Sequence, residues 1–290
     1  LHWIDYESPE SVQEATDLLA GKNGSVCMLA GGTDVLIRLR EGFMEGVDLV
    51  VDIKNIPELN EITFDAAKGL TLGAAVPCYK IYNDAAVKEN YPGLIDSASL
   101  IGGTQIQGRA SLGGNLCNAA PSGDSIPAMI ALGGVANIAG ASGTRAVPVE
   151  DFCTAPGKNI LEAGELLVSI SFPAPAANSG ACYIRFIPRN EMDIAVAGAG
   201  VSVVLENGNI QSARVALASV APTPLFVKEA GDALAGKPAN EESVRIASEL
   251  AKEAATPITD MRGTAAYRKH LCEVLTRRAL LTAIERAQEA

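Results

Sequence analysis

Apolar positions in the first fifty residues change period twice. After a short Trp3–Tyr6 strand and the pair Ser8-Pro9, Val12, Ala15, Leu18 and Leu19 recur at helical spacing and stop at Gly21. That spacing predicts an amphipathic helix capped near Ser8-Pro9 and closed by a glycine. Val26–Ala30 is an apolar run that fits a buried strand, Leu49–Ile53 reads as another buried strand, and between them Gly31-Gly32-Thr33-Asp34 turns into a helix over Val35–Arg40. A β-α-β order of this kind implies a parallel sheet.

From about Ile56 the pattern shortens. Ile62–Phe64, Leu70–Ala74 and Val168–Phe172 read as strands, and Pro77–Asn90 and Tyr91–Leu100 as helices. Between them lies a glycine-dense region from Gly102 to Gly143. The segment from Pro173 to Gly180 holds small residues, two prolines and no charge, which suits a linker. Beyond it, Ala181–Phe186, Ala195–Leu205 and Ile210–Val220 read as strands, the last two joined at Asn207-Gly208, a strong hairpin signal. Helices over Val227–Ala235, Glu241–Ala255 and Tyr267–Gln288 follow. The expected class is α+β. A domain over 1–175, with subdomains of about 1–55 and 56–175, precedes a C-terminal domain over 181–290, built from a three-stranded antiparallel sheet and three helices.

Composition narrows the chemistry. A net charge of −11 over 290 residues argues against nucleic acid as a partner, because phosphate neutralisation needs a basic surface. Only His2 and His270 are present, so a multi-imidazole zinc site is excluded. Cys27, Cys78, Cys117, Cys153, Cys182 and Cys272 are scattered without a CxxC pair. They read as free thiols in a reducing compartment and as an unsuitable set for an iron–sulfur cluster. No signal peptide is expected, since no charged segment followed by an apolar one opens the sequence, and no membrane span, since the uncharged stretch from Ser125 to Thr144 holds a proline and four glycines. Cytoplasmic residence is the expectation.

Two glycine loops are the candidates for binding chemistry. Gly31-Gly32-Thr33-Asp34 lies between a strand and a helix, where glycines allow close backbone approach and successive amides face an anion. An ordinary tight turn with Thr33 or Asp34 as N-cap explains it equally well. Ser111-Leu112-Gly113-Gly114-Asn115 is followed by Asn118 and then by Ser122-Gly123-Asp124. There the alternatives are a second phosphate cradle with a carboxylate for a ligand hydroxyl, or a structural loop in which Asp124 caps the next helix. Neither loop is GxGxxG or GxxxxGKS, so neither a Rossmann dinucleotide site nor a P-loop is indicated. Two cradles together suit a ligand with a pyrophosphate, neutralised by backbone amides instead of Lys or Arg.

Ala30-Gly-Gly-Thr-Asp34, Ala110-Ser-Leu-Gly-Gly-Asn115 and Ala120-Pro-Ser-Gly-Asp124, in that order, resemble the FAD-binding medium subunit of molybdenum hydroxylases of the xanthine dehydrogenase and carbon monoxide dehydrogenase type. Met192-Asp-Ile-Ala195, Ala216-Leu-Ala-Ser-Val-Ala-Pro-Thr-Pro224 and Arg262-Gly with Tyr267-Arg268 extend the resemblance over essentially the whole chain. It implies a two-part FAD-binding domain in which Cys27, Met28, Leu29, Ala30, Gly31, Gly32, Thr33 and Asp34, with Ser111, Gly113, Gly114 and Asn115, hold the FAD pyrophosphate. Asp124 would bond a hydroxyl or phosphate-side group, with Asn118 nearby. Ile101 would face the isoalloxazine, Leu167 the adenine, and Arg185 would occupy a contact position often held by Lys. The loop Phe186–Ile194, with Arg189, Glu191 and Asp193, would lie near the nicotinamide entry.

The resemblance also implies roles beyond this chain. A small 2Fe–2S subunit would deliver electrons to non-covalently bound FAD, and a large molybdenum subunit carrying molybdopterin would hydroxylate the substrate. NAD(P)⁺ or another acceptor would take the electrons, and no metal or catalytic acid–base residue is expected here. A purine or an N-heteroaromatic such as nicotinate is the expected substrate of the complex. Carbon monoxide or an aldehyde, a stand-alone flavin reductase, or a scaffold subunit that has lost flavin remain alternatives.

Overall fold

A computed structural model describes residues 3–21 and 26–290, so His2 lies outside the described residues. The first unit comprises β1 (Asp5–Glu7), α1 (Val12–Ala20), β2 (Val26–Leu29), α2 (Val35–Arg40) and β3 (Leu49–Asp52). Its sheet is parallel with order β1-β3-β2. The cap of α1 is Ser11, not Ser8-Pro9: its side chain accepts from Glu14 N. Ser11 sits directly before the first helical residue, where a hydroxyl reaches the third N–H.

The second unit contains β4 (Ile62–Asp65), β5 (Gly69–Gly73), α3 (Cys78–Ile81), α4 (Ala85–Asn90), α5 (Pro92–Ala98), α6 (Thr104–Gln107), α7 (Leu112–Asn118) and α8 (Ser125–Ala131). Then come β6 (Val135–Gly140), β7 (Gly143–Pro148), β8 (Cys153–Ala155), β9 (Lys158–Asn159) and β10 (Leu166–Phe172). The main sheet is antiparallel, in the order β4-β5-β10-β6-β7. The helix expected over Pro77–Asn90 is two helices. Asp84 breaks it by capping α4, its carboxylate accepting from Val87 N at 3.0 Å.

The third unit holds β11 (Ser179–Phe186), β12 (Ala197–Glu206), β13 (Asn209–Ala218), β14 (Leu225–Phe226), α9 (Lys228–Leu234), α10 (Glu241–Ala254) and α11 (Ala265–Glu289). Asn207 and Gly208 both take positive φ, 52° and 80°, as a type I′ hairpin turn requires. The sheet has four strands, not three, because Leu225–Phe226 pairs with Ala216 and Leu217. A two-residue strand after Pro222 and Pro224 has no alternation to betray it.

The second and third units share a packed seam. Every residue of α8 is buried, and Gly200 on β12 lies where a Cβ would come within 2.5 Å of the Pro127 backbone. Arg286 of α11 clasps Asp96 of α5 with two bonds of 2.6 and 3.0 Å and also donates to Ala181 O at 2.6 Å.

Candidate functional site

The two glycine loops touch. A Cβ on Gly31 would lie 2.1 Å from Arg109 O, so only glycine lets the first loop rest on the chain entering the second. Arg109 Nε also donates to Gly31 O at 3.3 Å. The second loop is fixed from below: Cys78 N donates to Ala110 O at 2.8 Å, and Gly113 lies against Ala74, where a Cβ would be 2.4 Å from the carbonyl oxygen. Gly32 needs its left-handed φ of +76° to turn the chain into α2.

Between the loops runs a cleft of about 290 Å³, near the lower end of small-molecule sites. Of the residues anticipated for cofactor binding, Met28, Ala30, Gly31, Gly32, Thr33 and Asp34 line it from the first unit. Ile101, Ser111, Gly113, Gly114, Asn115, Asn118 and Leu167 line it from the second. Cys27 and Leu29 do not line it; they sit in a small apolar cluster with Val47 and Val50. Strand alternation sends these side chains to the face opposite Met28 and Ala30.

Asp124 and Arg185 are also absent from the lining. They form a buried ion pair, and Asp124 accepts from the Tyr183 hydroxyl at 2.7 Å. Burial pushes the Asp124 carboxyl up, while the Arg185 guanidinium and the Tyr183 hydroxyl pull it back. Asp124 stands at the N-cap position of α8 without making a side-chain cap, because its oxygens face β11. The link to the cleft is indirect. The adjacent Ser125 donates its hydroxyl to Asn115 Oδ1 at 2.7 Å, which ties the start of α8 to α7.

Several lining residues escaped the sequence reading. Asn159 at the end of β9, with Leu161 and Glu165 from the segment leading to β10, forms a wall of the cleft. Asn159 Nδ2 donates to Cys117 O at 2.7 Å, and Arg145 holds Glu165 with two bonds of 2.7 Å. Arg38 on α2 is the lining cation, a correction to the expectation of neutralisation by backbone amides without Lys or Arg. It stands four residues after Asp34, and that helical spacing over a cleft loop was the signal available in the sequence. Burial, with the nearby Cys153, pushes the Cys117 thiol up to about 12, so this lining cysteine stays neutral. Beyond Ile101, Gly103 lies under the 187–194 segment, where a Cβ would meet Met192 Sδ at 3.0 Å.

The cleft carries donors without partners. Among the described residues, the N–H groups of Gly32, Thr33 and Asp34, and of Gly113 in the second loop, have no hydrogen-bond acceptor. Gly114 differs from the packed glycines: a Cβ there would meet only Ser111 Oγ, at 3.0 Å, so protein packing alone does not dictate its lack of a side chain.

A family model described as the FAD binding domain in molybdopterin dehydrogenase matches residues 2–175, and one described as the CO dehydrogenase flavoprotein C-terminal domain matches 183–283. The chain belongs to this family. It is 33% identical over 286 residues to the xanthine dehydrogenase FAD-binding subunit of Escherichia coli O157:H7, covering 98% of this chain and 97% of that one. It is 30% identical over 277 residues to the carbon monoxide dehydrogenase medium chain of Hydrogenophaga pseudoflava, covering 96% of each. A solved structure of carbon monoxide dehydrogenase from Hydrogenophaga pseudoflava superposes with a TM-score of 0.94 at 31% identity and 98% coverage of both chains. The protein is accordingly a flavoprotein subunit of the molybdenum-dependent dehydrogenase type, with FAD as its cofactor. Among the described residues no helix is long and apolar enough to cross a membrane, and no group of three or more His, Cys, Asp or Glu residues could hold a metal.

Proposed function

We propose that this chain carries FAD in the cleft between its two glycine loops, taking electrons from 2Fe–2S centres on a small partner subunit. It passes them to NAD(P)⁺ or another acceptor, on behalf of a large subunit that hydroxylates a purine or N-heteroaromatic substrate at molybdenum. The observation carrying this reading is the pair of loops held together through Gly31 and Arg109, with unpartnered amides in both and no packed backbone against Gly114. FAD supplies two-electron storage and hydride donation when bound; binding and orientation are the protein's part.

In this reading the amides of Gly32, Thr33 and Gly113 donate to the diphosphate. Their helices are six and seven residues long, so the loop amides matter more than a helix dipole. Ile101 and the 187–194 segment bound the isoalloxazine end, and Leu167 with the Asn159–Glu165 wall bounds the adenine end. Cys27 and Leu29 anchor β2 on its far face through Val47 and Val50. Asp124 and Arg185 position the cradle through Ser125 and Asn115 while engaged with each other. No lining side chain is required as acid or base.

A purine-type substrate is favoured by the slightly higher identity to the xanthine dehydrogenase subunit than to the carbon monoxide dehydrogenase chain. Six free cysteines fit a reducing cytoplasm. Purified protein should show oxidised-flavin absorption and release FAD on denaturation. A colourless preparation that releases none overturns the FAD reading. Co-purification with iron–sulfur and molybdenum subunits, tested by native mass, supports the assembly; a chain that reduces acceptor alone displaces it.

A further inference from the structure

We infer that Arg38 is a specificity-determining contact: its guanidinium engages the diphosphate of the ligand held by the two glycine loops. This rests on the FAD reading above and adds to it a charged anchor that the loop sequences alone do not contain.

The cleft poses an electrostatic problem. The chain carries a net charge of −11, and the first loop contributes Asp34 to the cleft wall. A carboxylate beside a diphosphate repels it, and uncharged amides offset only part of that repulsion. Burial pushes the Asp34 carboxyl up, and the Arg38 guanidinium opposes that shift, so the two groups already sense each other across one helical turn.

Arg38 is the only Lys or Arg among the described residues lining the cleft. Its guanidinium makes no hydrogen bond or ion pair with the described residues, whereas Arg40 on the same short helix pairs with Glu41 at 3.0 Å. An exposed arginine whose nearest acid, Asp34, stays beyond ion-pair distance, lining the same cleft as amides that lack acceptors, is matched to an anion from outside the chain. Guanidinium geometry suits two phosphate oxygens at once, which a lysine cannot reproduce. The recognised chemistry is a dinucleotide or nucleotide diphosphate, so the residue selects for the phosphorylated flavin over the bare isoalloxazine.

The test is titration of FAD into the flavin-depleted full chain, followed by flavin fluorescence at low and high salt, for wild type, Arg38→Gln and Arg38→Lys. Arg38→Gln is expected to weaken FAD by about tenfold, the lower range for a charged hydrogen bond, and to flatten the salt dependence of binding. Arg38→Lys is expected to keep the salt dependence while recovering only part of the affinity. The exposed, unpartnered side chain predicts unchanged thermal unfolding in both variants. Wild-type affinity in Arg38→Gln overturns the inference, as does a loss of affinity with an unchanged salt slope. If wild type itself takes up no FAD, the failure belongs to the cofactor reading.

Discussion

Gly180 and Gly114 have the same missing side chain in two regions that use it differently. In the C-terminal unit, a Cβ on Gly180 would stand 2.1 Å from Ala283 O, so the glycine lets β11 lie directly on the backbone of α11. Gly231 does the same for α9 on β13, with a Cβ position 2.3 Å from Ala213 O. In the cleft, Gly114 has no backbone against it. A glycine that packing demands reports on the fold, whereas one that packing leaves free reports on something the fold accommodates. Gly31 stands between these cases, because it lines the cleft and also presses on Arg109 O.

Substitution separates the three. Gly180→Val should have the largest effect on folding, about 3 kcal/mol in denaturant unfolding, since a β-branched side chain must displace the helix or the strand. Wild-type stability would show that this contact is not what selects glycine.

Gly31→Ala should cost less, about 1 kcal/mol, because the first unit is small and the two loops can part without opening a large core. That parting should weaken FAD by more than about tenfold, equivalent to ~1.4 kcal/mol, as measured by flavin titration. Equal losses in stability and binding would place Gly31 with Gly180.

Ion pairs draw the same contrast on a smaller scale. In the C-terminal unit, Arg245 with Glu242 and Glu249, and Lys228 with Asp232, pair on the surface. At the cleft, the Arg145 hydrogen bond holds the Glu165 carboxyl below its ordinary 4.5, outweighing burial. A carboxyl lowered on folding contributes stability above its unfolded value and loses it as pH falls through the folded one. Wild type should therefore lose stability below about pH 4.5 through this group, and Glu165→Gln should flatten that part of the acid limb by under about 1 kcal/mol. A parallel acid limb in the variant would remove Glu165 from the account.

These regions are unequally legible in the sequence, for physical reasons. The β12–β13 hairpin was legible because Asn207-Gly208 permits one tight turn and the flanking apolar runs are long. The parallel sheet was legible because Val26–Leu29 and the 49–51 run are apolar on both faces. The glycine loops were legible as candidates, but the contact between Gly31 and Arg109 joins residues 78 positions apart and has no local signature. Asn159 and Glu165 reach the cleft only once β10 is placed in the sheet, so local pattern does not reveal them. Asp124 stood out as a polar residue after glycines. Its partners, Tyr183 and Arg185, come from a strand beyond the linker, and that distant pairing determines its role.

Gly114→Ala is the smallest perturbation and the most discriminating. The new methyl would meet only Ser111 Oγ, at 3.0 Å, and that hydroxyl already accepts from Gly114 N at the same distance. Replacing glycine by alanine within a helix gains up to about 1 kcal/mol in propensity, and a slight displacement of the cap offsets part of it. The thermal midpoint should therefore stay within a few degrees of wild type, or rise. FAD affinity should nevertheless fall in the proposed reading, because the methyl is added to a residue that lines the cleft. Stability and binding moving in opposite directions would be the signature of a glycine kept for a ligand. If both stay unchanged, the ligand does not approach Gly114, and the cradle must be redrawn around Gly31, Gly32 and Arg38.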